Sequence, residues 1–292
     1  MSQIAYQTLT QYNRLNNNQT AFSYMIFEFI IFLSIGAAAG LLAGMFGVGG
    51  GALIVPSLIF TLNYFNLGDP WINHIAIATS LATIIGTSLS SSYIHNKNHN
   101  IQWPILKKMV LGCMIGTLGG SYMTPYIPGS WLKWVFIIFL IYVSFKFILQ
   151  IDKKNKNLVS QTVPFNNQIF IFAGTLIGIF AALVGVGGGV LVVPFLQRCG
   201  IDMRKAIGTS AAFTVPVAIG GTIGYIIAGW NNPQLPQYCL GFIYLPAAFV
   251  IMLASIPMAK VGVQIAQKLS IKKLIRFFGI FLLFLAIKLI IS

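Results

Sequence analysis

The sequence predicts an all-α integral membrane protein made of two inverted repeats. Each repeat holds about five helical elements, with short or broken helices after glycine-rich loops. Three observations carry this expectation: long apolar runs without charge, a ten-residue glycine motif that occurs twice, and basic residues gathered on one side of the apolar elements.

The chain has 292 residues, of which 57% are hydrophobic and 8% charged. Soluble domains carry roughly 25% charged residues. The mean hydropathy of +0.83 suits a chain whose solvent is lipid. Ten apolar elements follow one another. The first, 24–46, has no charge from Phe29 to Phe46. The second, 50–63, is short and opens directly after glycines. The third, 73–95, carries a Thr/Ser stripe. Elements 104–124 and 130–150 complete the first half, the latter with an uncharged core from Val135 to Phe145. The second half repeats the order with 167–184, a short 188–200, 205–229, 238–259 and 271–291, the last uncharged from Phe277 to Ile287. A span needs about 20 apolar residues to cross a core of roughly 30 Å. The two short elements fall below that at about 1.5 Å per residue, so they read as half-helices after a break or as re-entrant segments. The chain then divides into a polar tail 1–23, a first membrane repeat 24–150, a cytoplasmic linker 151–166 and a second membrane repeat 167–292. The tail is rich in Asn and Gln and has no signal-peptide pattern.

The repeat is explicit. Gly47-Val-Gly-Gly-Gly-Ala-Leu-Ile-Val-Pro56 matches Gly185-Val-Gly-Gly-Gly-Val-Leu-Val-Val-Pro194 at eight of ten positions, with an offset of 138 in the numbering. Each copy is followed by a Thr-Ser pair, Thr79-Ser80 and Thr209-Ser210, with an offset of 130. Self-similarity at half the chain length is the mark of a two-fold transporter architecture. If every element crosses, fifteen Lys and Arg residues fall on one side and only Arg14, Lys133 and Lys288 on the other. The basic side is then cytoplasmic. Both termini lie outside, and the odd number of elements per half makes the halves inverted. The net charge of +14 is thereby a matter of orientation in the plasma membrane, and nucleic-acid binding has no basic domain to support it.

The motifs suggest where chemistry could sit. Gly47, Gly49, Gly50 and Gly51, with Gly185, Gly187, Gly188 and Gly189, would interrupt a helix and leave backbone groups unpaired. Lipid cannot satisfy such groups, so the breaks must face protein or a wet cavity. The helix that starts after each run offers free N–H groups at the positive end of its dipole, which suits an anion. Pro56 and Pro194 would kink or end these short helices. Thr79, Ser80, Thr209 and Ser210 offer hydroxyls that can donate to an oxyanion; bonding to their own or a neighbouring helix is the alternative. His74 and Arg204 each lie five residues before the repeated Thr, at the two expected mouths, where they could attract anions or gate. Cys113, Cys199 and Cys239 read as small buried hydrophobes. No metal ligand cluster, cofactor motif or catalytic constellation is present in the sequence, so neither an enzyme nor a resident metal or cofactor is expected. Glu28 is the only carboxylate near a span, which leaves a coupling ion, proton or sodium, unassigned.

The doubled motif with its Thr-Ser pairs resembles the sulfite exporter TauE/SafE family of membrane permeases over about residues 25–290. The resemblance implies movement of a small sulfur-containing anion such as sulfite, a sulfonate or thiosulfate across the plasma membrane. It implies that the glycine runs and the Thr-Ser pairs form the substrate site. Ala78, where the second half has Gly208, departs from the repeat and would narrow the first site. A passive anion channel with the same site, or a membrane scaffold without transport, are the alternatives.

Overall fold

The computed structural model describes residues 26–47, 49–65, 67–149, 167–268 and 271–291. The polar tail 1–23 and the linker 151–166 lie outside the described residues. Among the described residues, ten α-helices follow in chain order: α1 (Ile26–Phe46), α2 (Gly51–Tyr64), α3 (Ile72–Lys97), α4 (Trp103–Met123), α5 (Gly129–Leu149), α6 (Asn167–Val184), α7 (Gly189–Arg198), α8 (Met203–Gly229), α9 (Leu245–Lys268) and α10 (Ile271–Ile291). A 3₁₀ turn, Thr124–Tyr126, closes α4. A two-residue β-ribbon, Cys239–Leu240 with Ile243–Tyr244, opens α9 where the sequence suggested continuous helix from 238.

Five helices, α1, α3, α6, α8 and α9, are long and apolar enough to cross a membrane by length and composition. The helix α2 has 14 residues and α7 only 10. At about 1.5 Å per residue, neither reaches across roughly 30 Å of hydrocarbon. Each begins immediately after a glycine break in the chain that leaves α1 or α6. Large apolar side chains stand exposed on the outer faces, among them Phe172, Phe249 and Ile138. In water such a coat would be an aggregation surface; in lipid it is the solvated face.

The two halves pack through each other. Helix α1 of the first half lies on α9 of the second, and α6 of the second half lies on α4 of the first. Gly36 and Gly40 admit the backbone of α9 at Ile251 and Ser255; Gly174 and Gly178 admit that of α4 at Met109 and Cys113. These contacts correspond pair by pair, with offsets of 138 between α1 and α6 and 142 between α4 and α9. The same holds for Gly262 against Leu41 and Gly120 against Ile179. Small residues every fourth position let helices approach closely enough for backbone contact, the main source of cohesion in lipid. The remaining contacts follow the same rule: α3 lies on α8, and α5 on α10, where the Ser144 hydroxyl donates to the Gly279 carbonyl at 2.6 Å. One continuous apolar core spans both halves.

Candidate functional site

Both glycine breaks fold alike. Gly47 and Gly185 take φ of 67° and 71°; Gly50 and Gly188, the N-cap residues of α2 and α7, take 83° and 71°. A side chain at such angles is strained, so each break needs glycine at its first and fourth positions. The two breaks meet inside the protein. A Cβ on Gly51 would overlap the Gly185 carbonyl oxygen, and one on Gly185 would lie 2.8 Å from Val55 Cγ2. A Cβ on Gly49 would lie 2.9 Å from both Ile84 and Thr214, equivalent positions of α3 and α8; one on Gly187 would run into Thr214 as well. Gly47, Gly49, Gly50 and Gly51 are buried, as are Gly185, Gly187, Gly188 and Gly189. Pro56 and Pro194 are buried inside α2 and α7.

The Thr-Ser pairs hold the breaks of the opposite half. Ser80 donates to the Gly185 carbonyl at 2.9 Å. Ser210 donates to the Gly47 carbonyl at 3.0 Å, with the Gly189 carbonyl at 3.2 Å. The threonines act one position earlier, on the opposite half's fourth element. Thr79 Oγ1 accepts the Tyr244 N–H at 3.0 Å, just before α9. Thr209 Oγ1 accepts the Gln102 N–H at 2.9 Å, just before α4, and donates to Lys205 O at 2.7 Å. All four are at most 1% exposed. Thr214, one turn after Ser210 on α8, donates to the Gly187 carbonyl at 2.6 Å. The hydroxyls of Ser80, Ser210 and Thr214 therefore occupy loop carbonyls. Among the described residues no partner is seen for the N–H groups of Gly51, Ala52, Gly189 and Val190, which open α2 and α7. A helix start leaves such donors free, and with the dipole they form an anion-favouring pair of termini. Neither N-cap supplies a side chain to cover them.

The other sequence candidates lie elsewhere. His74, expected at an outer mouth, is 1% exposed. Its Nε2 lies 3.1 Å from Thr124 O and 3.2 Å from Ile127 O, so this nitrogen carries the proton and donates. The ring stacks on Phe242 at 5.5 Å. Arg204 is exposed at the start of α8, where Asp202 caps the helix through the Arg204 N–H at 3.0 Å. Gly208 does not face a glycine break: its Cβ position is filled by Asn100, in the turn between α3 and α4. Ala78 fits its own buried position fully, so the Ala/Gly difference belongs to that packing. Among the described residues no group of three metal-ligating side chains occurs.

Two features were missed in the sequence. The glycine seams of α1–α9 and α4–α6 are legible as small residues four apart. His95, which reads as flanking a polar loop, is buried at 6% exposure because α3 runs on to Lys97.

The profile of the sulfite exporter TauE/SafE family matches residues 32–289 of this chain. The chain belongs to that family. This TauE/SafE protein also has relatives that match over most of their length. It is 34% identical to a probable membrane transporter protein of Haemophilus influenzae, over 90% of this chain and 98% of the relative. A probable membrane transporter protein of Methanocaldococcus jannaschii is 29% identical over 85% and 91%. The Bacillus subtilis probable membrane transporter protein YunE is 26% identical over 90% and 97%. No solved structure matches.

Proposed function

We propose that this TauE/SafE protein is a secondary transporter that moves a small sulfur-containing anion, such as sulfite, a sulfonate or thiosulfate, across the plasma membrane. The observation that carries the reading is the reciprocal pair Ser80–Gly185 and Ser210–Gly47. It draws the two breaks together and turns their carbonyls onto hydroxyls. Among the described residues, the groups left without a partner at the starts of α2 and α7 are then donors. Donors without a full charge suit an anion that must bind and leave. In this reading the amides of Gly51, Ala52, Gly189 and Val190 contact the anion, while the other glycines shape the breaks and Thr79, Ser80, Thr209 and Ser210 position them from the opposite half. Pro56 and Pro194 remove the N–H that would bond the carbonyl four residues back, and so leave α2 and α7 free to bend.

The halves are proposed to be inverted across the bilayer, with the Lys-rich loops cytoplasmic and both termini outside. The end that gathers Lys97, Lys107, Lys108, Arg204 and Lys205 is then the inner face. The close contact of Gly51 with Gly185 supports a carrier whose halves move apart around the site over a standing pore. In this reading the site lies between the two repeats, as in inverted-repeat transporters.

The test is flux in proteoliposomes loaded with sulfite, thiosulfate, sulfate, sulfoacetate or chloride. Saturable movement of a sulfur anion, with trans-stimulation by the same anion, is expected. Movement of chloride alone, or unsaturable flux without counterflow, would replace the carrier by a channel. Flux of none of these by folded protein would remove the anion reading.

A further inference from the structure

The inner end of α3 holds a buried histidine that the anion site does not use. His95 is 6% exposed, and neither Nδ1 nor Nε2 has a hydrogen-bond partner. The Gly44 carbonyl of α1 approaches the ring without reaching ordinary hydrogen-bond geometry. Ser91, one turn earlier on the same face, is 1% exposed and its hydroxyl is also unpartnered, as is that of Ser92. Buried polar groups are almost always paired, so a cluster of orphans calls for a reason.

The repeat supplies the comparison. The position equivalent to His95 is Tyr225, at the offset of 130, and that equivalent to Gly44 is Ala182, at the offset of 138. Tyr225 is fully buried and donates to the Ala182 carbonyl at 3.0 Å. The fold thus builds the same niche twice. One copy is closed by a phenol in a fixed hydrogen bond. The other holds an imidazole with both nitrogens free. His74, on the same helix, is locked by two carbonyls. Of the two buried histidines, His95 alone has neither ring nitrogen held; His74 keeps a free Nδ1, but its Nε2 is fixed by the Thr124 and Ile127 carbonyls.

Charged groups of the surrounding elements do not neutralise it. Lys97 and His99 beyond it in sequence, Lys107 and Lys108 on α4, Asp202, Arg204 and Lys205 at the start of α8, and Lys260 on α9 are all exposed. Among the described residues no ion pair or hydrogen bond joins any of them to the ring. An ionisable residue buried in a membrane protein is a functional site by default, and histidine is the side chain whose charge changes near neutral pH.

We propose that His95 is the protonation site that couples anion movement to protons: an imidazole in the niche of Gly44 and Ser91 takes up a proton, and its positive charge accompanies the anion. This rests on the transporter reading above and adds the coupling ion to it. The proton adds to a ring nitrogen and leaves from it, and nothing else is made or broken.

The full chain is tested in two ways. In nanodiscs, ¹⁵N-histidine labelling resolves three rings, those of His74, His95 and His99. The His95→Tyr variant assigns one of them, and the Tyr225 niche is the precedent that this variant folds. The His95 ring is expected to gain a proton on acidification, over the same pH interval as the gradient used in the flux assay. A ring that does not titrate there overturns the proposal, whichever anion moves. In proteoliposomes, uptake of thiosulfate and of sulfoacetate is measured with and without an acid-outside pH gradient. Wild type is expected to show several-fold stimulation, and His95→Tyr a ratio of about one. A wild-type ratio of one, or full stimulation in His95→Tyr, overturns the coupling. If neither anion moves while the ring still titrates, the failure falls on the anion reading, and proton binding at His95 stands.

Discussion

Ser80 donates its hydroxyl hydrogen to the carbonyl of Gly185 at 2.9 Å, from the third helix of one half to the glycine break of the other. Ser210 does the same for Gly47 at 3.0 Å. Since each serine has a single hydrogen to give, this bond and a direct bond to an anion exclude one another. Ser80→Ala leaves the buried Gly185 carbonyl without its donor, at a cost of about 1–3 kcal/mol. The loss is expected as a lower thermal midpoint in detergent, together with weaker anion affinity. Ser80→Thr, which keeps the hydroxyl, is expected to lie between Ser80→Ala and wild type. A Ser80→Ala protein with unchanged midpoint and unchanged affinity would remove the positioning role.

The two N-cap glycines differ in what surrounds them. A Cβ on Gly50 would lie 2.8 Å from the Ala39 carbonyl, which is backbone and cannot yield without moving α1. A Cβ on Gly188 would meet Ile177 Cγ2 at 3.2 Å and Phe213 Cε1 at 3.3 Å, side-chain atoms that can shift. Both positions add a left-handed strain of roughly 1–2 kcal/mol for a non-glycine residue. Gly50→Ala is therefore expected to lose more stability and more flux than Gly188→Ala, although the motif treats the two positions as the same. Parallel melts and flux assays of the two variants decide it. Bulkier changes such as Gly50→Val and Gly188→Val are expected to abolish transport while the protein still inserts in the membrane.

The seams can be tested separately from the site. Gly40 lies against the Ser255 backbone and Gly178 against that of Cys113, where a Cβ would lie 2.6 Å from the carbonyl oxygen. Gly40→Leu or Gly178→Leu must push α1 from α9 or α6 from α4. Overpacking of this kind costs about 1–3 kcal/mol or more. Both variants should melt earlier and run as a broader peak on size exclusion. Gly119, whose Cβ position has no atom within 4 Å, is the control: Gly119→Ala is expected to be neutral or slightly stabilising.

Helix positions were legible in the sequence because the apolar runs are long and their ends polar. Element 167–184 and element 271–291 have the bounds that the structure gives α6 and α10. The glycine breaks were legible because the motif occurs twice. The partner of each hydroxyl was not. Within one half, Ser80 follows its own glycine run closely in the chain, and spacing alone suggests that they meet. The bond instead reaches Gly185, 105 residues away, because α3 and α8 pack against each other and each carries its serine to the other's break. His95 was obscured for another reason. It sits among Asn96, Lys97, Asn98 and His99, a run that reads as loop, yet α3 runs on to Lys97 and carries the ring inward to the Gly44 carbonyl of α1. The burial of His74 was hidden similarly, since Thr124 and Ile127, 50 and 53 residues on, fold over it.

The threonines of the two pairs give the sharpest separation of positioning from contact. Thr79 Oγ1 accepts the Tyr244 N–H, and Thr209 Oγ1 accepts that of Gln102. Each bond ties the third element of one half to the entry of the fourth-element helix of the other. Valine has nearly the shape of threonine but cannot accept, so Thr79→Val leaves a buried N–H unpaired at about 1–3 kcal/mol. Thr79→Ser keeps the acceptor and loses one methyl group, for which about 1 kcal/mol is expected. If the pair acts by holding helix entries, Thr79→Ser should transport nearly as wild type and Thr79→Val should lose stability and flux together. If the hydroxyl instead contacts the anion, Thr79→Val should raise the half-saturating concentration with little change in the melt. Combining Thr79→Val with Thr209→Val then tests whether the two ties are independent. They hold different helices, and sites without shared partners add within roughly 0.3–0.5 kcal/mol. A double variant far less stable than the sum would mean that the two halves brace each other through the glycine breaks as one unit.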